Sequence, residues 1–131
     1  MADYRSGNSA SDVGGFVPAA VHEPKGFAAS ASRTIGAEVE RVFAAWTDER
    51  KRHQWLRNDE LEVTESTPGI SLHGRWAASR VRVFFMPRGP LRTHVTVDQE
   101  ELSTGRKAEQ MKKFWQARLG RLAAALERAH A

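Results

Sequence analysis

Apolar residues recur along this chain with two different periods. Over Ala37–Asp48 (A-E-V-E-R-V-F-A-A-W-T-D), Val39, Val42, Phe43 and Trp46 follow at helical spacing, and Arg41 and the glutamates fall off that face. Thr47-Asp48 offers a side-chain cap for a second short helix over Glu49–Leu56, which closes on Trp55-Leu56. Ser103–Ala129 repeats the helical pattern over a longer run, with Met111, Phe114, Trp115, Leu119, Leu122 and Leu126 on one stripe. Ser103 or Thr104 can cap its start. Gly105 and Gly120 each disfavour helix by about 1 kcal/mol relative to alanine. Gly120, beside Leu119, therefore predicts a close approach of this helix to a strand.

Between these segments the period falls to two. Phe27–Ile35 reads as a first strand whose small residues (A-A-S-A-S) let it sit close beneath another element, and Gly36 allows the turn into the first helix. Glu60–Glu65 puts Leu61 and Val63 on one side and Glu62 and Thr64 on the other. After the Pro68-Gly69 turn, Ile70–Gly74 continues with Ile70 and Leu72 inward. Ser79–Met86 places Val81, Val83 and Phe85 inward and Arg80, Arg82 and Phe84 outward. Pro87-Arg88-Gly89-Pro90 turns the chain into Leu91–Glu101, with Thr93, Val95 and Val97 inward and His94 and Asp98 outward. His73 also faces outward. Trp76, in R-W-A-A-S, is either inward at a strand end or at a hairpin tip. Short connections between these runs predict an antiparallel meander.

Length and composition bound the class. With 131 residues, 40% hydrophobic and 27% charged, the chain holds one domain and one modest core. It has no apolar run near 18 residues, and its first residues lack the basic and apolar regions of a secretory signal. The absence of cysteine excludes disulfides, thiolate chemistry and Cys-type zinc sites, and fits a cytoplasmic protein. Residues 1–25, rich in Gly, Ser, Ala and Asp with Pro18 and Pro24, read as a flexible tail, in which Phe16, Val17 and Val21 could still dock. The domain is expected over 26–129. Of the net charge of +4, the last helix carries more than the whole, with seven basic residues against Glu109 and Glu127 over 103–131. That excess reads as a solvated helix face, or as a surface for an acidic partner.

The order of one strand, two short helices, antiparallel strands and a long last helix is the helix-grip arrangement. The segments S-A-S-R-T-I-G-A-E-V-E-R-V-F-A-A-W-T-D-E-R with Q-W-L, and A-E-Q-M-K-K-F-W-Q-A-R-L-G-R-L-A-A-A-L, carry a likeness. They resemble the opening and the closing helix of the SRPBCC (START/Bet v 1-like) superfamily, nearest the branch named after the activator of Hsp90 ATPase homologue 1. The resemblance covers about Phe27–Glu127. It implies an α+β fold: a curved antiparallel sheet of about five strands, with two short helices and a long C-terminal helix packed across it. It also implies a cavity between that helix and the sheet, used in many members for apolar ligands. It does not imply Hsp90 binding, because the branch includes many bacterial proteins without that role. Only 46 residues (Arg57–Leu102) separate the helix pair from the last helix, room for about four strands at roughly 3.3 Å per residue. Longer relatives have one or two more, so the sheet is expected to be smaller and the cavity reduced, open or filled by side chains.

No motif for catalysis stands out. The inward positions are nearly all apolar, which leaves general acid–base chemistry without titratable groups in the hollow. His22, His53, His73, His94 and His130 lack metal-ligand spacing, although His73 and His94 could meet across strands. There is no phosphate-binding loop, no metal or cofactor is implied, and nothing gives a physical reason to call the protein an enzyme. The expected cavity lining is Trp46, Trp55, Leu72, Val83, Phe85, Val95, Met111, Phe114 and Trp115, the same residues that would otherwise simply pack a core. Arg118 borders the stripe, either orienting the acidic head of a ligand or lying along the helix flank with its head in water. On the outer sheet face Arg80, Arg82, Arg92 and His94 gather around Phe84, a pattern for single-stranded nucleic acid that Glu62, Asp98 and Glu100 weaken. Phe84 could equally mark a homodimer contact. The leading expectation is non-catalytic binding of a small apolar or amphipathic molecule in the helix–sheet cavity. The alternatives are a protein-interaction module with a filled cavity, co-chaperone-like or dimeric, and, less favoured, a nucleic-acid-binding module.

Overall fold

The computed structural model describes residues 26–56 and 61–128. The reading of 1–25 as a tail, with Phe16, Val17 and Val21, falls outside the described residues, as do Glu60, the proposed start of a strand, and Ala129, the proposed end of the last helix. The elements run β1 (Phe27–Ile35), α1 (Val39–Thr47), α2 (Glu49–Trp55), β2 (Leu61–Thr67), β3 (Ser71–Trp76), β4 (Ser79–Pro87), β5 (Thr93–Leu102) and α3 (Gly105–Arg128). They form one antiparallel sheet in the order β1-β5-β4-β3-β2. The last four strands are the expected meander. The two short helices carry the chain from β1 at one edge to β2 at the other, and α3 lies back across the sheet, nearest β1. This is the α+β helix-grip architecture that the segment order implied.

Local chemistry sets the element ends. Asp48 Oδ1 accepts from the backbone N–H groups of Arg50 (3.0 Å) and Lys51 (3.4 Å) and so caps α2. Thr47 does not share that task, since its hydroxyl donates back to Phe43 O at 3.1 Å. Thr104, not Ser103, caps α3 by accepting from Lys107 N at 3.0 Å. Gly36 N donates to Glu127 Oε2 at 2.9 Å, which ties the β1–α1 corner to the end of α3.

Alternation holds where one face is buried. Val81, Val83, Phe85, Thr93, Val95 and Val97 all point into the core, together with Leu61 and Leu72. Ile70, expected inward, is exposed. Its N–H donates to Thr67 O at 2.9 Å, so it closes the turn and β3 begins one residue later. His73 and His94 do not meet, because β4 lies between their strands: His73 pairs with Arg82, and His94 with Met86.

The close approach expected at Gly120 is not there. A methyl group built on it would find only Arg33 Nη1, at 3.9 Å, an ordinary contact. A glycine that does meet such an approach within the sheet is Gly74. A Cβ there would lie 2.6 Å from Glu62 O and 3.1 Å from Leu61 Cδ1, where β2 bulges between Val63 and Glu65.

Candidate functional site

The space between helices and sheet is occupied by rings from five elements. α1 contributes Phe43 and Trp46, α2 Trp55, β3 Trp76, β4 Phe85, and α3 Phe114 and Trp115. Trp46 is central. Its ring centroid lies 4.6 Å from that of Trp55, 6.5 Å from Phe85 and 5.9 Å from Trp115, on which it stacks. Phe43 meets Phe85 edge-on at 5.3 Å. Trp76 lies 5.4 Å from Trp115 and 5.3 Å from Phe114, and Phe114 lies 5.3 Å from Trp115. Every separation falls in the range where aromatic pairs attract beyond simple area burial.

The polar ends of these rings are mostly satisfied. Trp55 Nε1 donates to Ala45 O at 3.0 Å, and Trp115 Nε1 to Gln99 Oε1 at 2.8 Å. Trp46 Nε1 is buried with no acceptor. The buried polar side chains of the described residues include three that hold elements together. Thr93 Oγ1 donates to Ala37 O at 2.9 Å, Arg52 Nη1 to Trp46 O at 2.7 Å, and Gln99 receives Trp115. Arg52 thereby satisfies a carbonyl near the end of α1 that the turn into α2 would leave open.

The outer sheet face changes character along the strands. At one end the register aligns Glu62, Arg75, Arg80 and Glu100 in a row. Arg82 makes a charge-assisted hydrogen bond to Glu100, and Arg80 lies 3.9 Å from both Glu100 and Glu101. Ser30 donates to Asp98 at 2.8 Å. These cations are thus engaged by neighbouring carboxylates. At the other end Phe84 (40% exposed) and Met86 (58%) stand on this face, and Ile70 (60%) and Leu91 (63%) are exposed at the adjoining turns. Among the described residues no group of three or more His, Asp or Glu side chains could hold a metal ion, and no helix is long and apolar enough to cross a membrane.

No protein-family model matches the chain, and no curated protein matches it. Solved structures do. The protein SSP2350 from Staphylococcus saprophyticus superposes with a TM-score of 0.68 at 15% identity, over 79% of this chain and 93% of that one. The Aha1 dimer from Colwellia psychrerythraea gives 0.67 at 16% identity, over 77% and 96%. An AHSA1-like protein from Rhizobium etli gives 0.61 at 18% identity, over 79% and 87%. The chain has the helix-grip fold of the SRPBCC, or Bet v 1-like, proteins. At these identities the likeness is one of fold.

In this SRPBCC-fold domain the residues expected to line a cavity do come together. Trp46, Trp55, Leu72, Val83, Phe85, Val95 and Trp115 are buried in one cluster, and Met111 and Phe114 pack on its edge, half-buried. Arg118 is half-buried on the flank of α3, its guanidinium carbon 4.8 Å from the centre of the Phe114 ring, a cation–π contact. Trp76, which the sequence left between two placements, faces inward onto α3. Gln99 and Arg52 were missed. For Gln99 a signal existed, since the parity of Thr93, Val95 and Val97 carries on to it. Arg52 had none, because its acceptor exists only once the α1–α2 corner is built.

Proposed function

We propose that this SRPBCC-fold domain is a protein-interaction module that pairs with a second copy of itself through the apolar end of its outer sheet face. The observation that carries this reading is that Phe84 and Met86 are left exposed on the outer face of β4, with Ile70 and Leu91 exposed at the adjoining turns, while the domain's own rings occupy the interior. Scattered surface apolar residues need no explanation, but large ones gathered at one end of a sheet suit a partner. Phe84 pairs with Ser71 and Thr96, Met86 pairs with His94, and Phe85 N–H donates to Ile70 O. The similar structure from Colwellia psychrerythraea is described as a dimer, so this fold is paired in that protein.

Sedimentation equilibrium of the full chain tests the pairing. The expected result is a monomer–dimer equilibrium in the micromolar to millimolar range. Phe84→Asp with Met86→Asp should leave a monomer with unchanged far-ultraviolet circular dichroism. A native chain that stays monomeric at millimolar concentration overturns the reading.

A second reading, binding of a small apolar or amphipathic molecule between α3 and the sheet, rests on one observation. Trp46 Nε1 lies buried among Trp55, Phe85 and Trp115 without an acceptor. A ligand oxygen would satisfy it, with Phe114 and Trp115 as walls and Arg118 at the rim. Thermal shifts with fatty, aromatic and isoprenoid acids test this, because a ligand of the native state raises the melting temperature. A saturable shift lost in Trp115→Ala supports the reading, and no shift with any compound removes it. A chain without cysteine suits either role in the cytoplasm.

A further inference from the structure

A groove of about 230 Å³ lies between α1, α2 and the C-terminal half of α3, on the helical side of the domain. Ala45, Trp55, Leu122, Ala125 and Leu126 give it an apolar floor, and the cations of Arg41 and Lys51 stand beside it. Arg41 uses one arm of its guanidinium to hold the end of α3, with Nη2 donating to Leu126 O at 3.1 Å. The other arm, Nη1, is shielded from solvent and has no acceptor. The carboxylate near this end of α3, Glu127, is taken by Gly36 N. Lys51, exposed on α2, makes no ion pair among the described residues. A guanidinium arm withdrawn from water and left without an acceptor favours a site that completes it. Its fork suits a carboxylate, and a nearby ammonium adds charge to the same ligand.

We propose that this groove binds a small amphipathic carboxylate. The carboxylate bridges Arg41 and Lys51, and the apolar part lies on Trp55, Leu122 and Leu126. A groove of this volume suits a short acyl or single-ring acid better than a long-chain one. The inference stands apart from the pairing proposed above, since the groove and the Phe84 face are on different elements.

The test is a titration of the full chain, labelled with nitrogen-15, with hexanoate and with benzoate, using hexanol as the neutral control. The expected result is a saturable shift of the Trp55 indole resonance and of the Ala45, Leu122 and Ala125 amides, with no matching shift from hexanol. Lys51→Glu, at an exposed position, should weaken binding about tenfold or more through charge reversal. Arg41→Gln should weaken it by about tenfold for the lost charge-assisted bond. Phe84→Asp should leave the affinity unchanged. No shift with either acid, equal shifts with hexanol, or full affinity in Lys51→Glu would overturn the proposal.

Discussion

Two glycines of this chain should respond to the same substitution with opposite signs. In a strand or a helix, replacing glycine with alanine normally stabilises, because glycine loses more backbone freedom on folding. Gly120 sits inside α3 with Arg33 Nη1 at 3.9 Å as the nearest neighbour of an added methyl, so nothing opposes the gain. Gly120→Ala should therefore stabilise by about 1 kcal/mol, the helix-propensity difference. At Gly74 the added methyl meets Glu62 O at 2.6 Å, backbone rather than a side chain that can swing away. Relief requires β2 to move off β3, and overpacking of this kind costs about 1–3 kcal/mol. Because the contact is with backbone, the cost belongs at the upper end of that range, and the net for Gly74→Ala should be unfavourable by about 2–2.5 kcal/mol after the backbone-entropy gain of roughly 0.5–1 kcal/mol is set against it. For a domain near this size each kcal/mol moves the melting temperature by about 4–8 °C. Urea denaturation of the three proteins, with thermal melts alongside, measures both signs. Unchanged m-values would show that stability changed without a change in the surface exposed on unfolding. A Gly74→Ala protein as stable as the parent would refute the close approach of β2 and β3, and with it the packing assigned to that edge.

Two further changes probe individual contacts. Gln99→Leu removes the acceptor of the buried Trp115 Nε1 and should cost about 1–3 kcal/mol. A double-mutant cycle with Trp115→Phe should show coupling between the two positions, and strict additivity would argue against the bond. Asp48→Ala removes the cap of α2 and should cost about 1 kcal/mol, read as a shift in the urea midpoint, whereas Thr47→Ala at the neighbouring position should cost less.

Period and local chemistry decided much of this fold in advance. A helix or strand buried on one side must repeat its apolar residues with its own period. The stripe through Trp115, Leu119 and Leu122 and the alternation of Val81, Val83 and Phe85 were therefore legible without knowing what they pack against. Asp48 was legible as a cap because its acceptor and the donors it meets lie within three residues. Ile70 was not, since a turn bond to Thr67 interrupts the alternation one residue before β3 begins. Tertiary structure alone decided the side on which Trp76 lies, which glycine stands against a backbone, and which helix ends Arg41 and Arg52 satisfy. It also decided how closely the aromatic residues of α1, α2, β3, β4 and α3 approach one another. Those outcomes depend on distances between elements far apart in the chain, such as the 5.9 Å between Trp46 on α1 and Trp115 on α3, and no local period encodes such a distance.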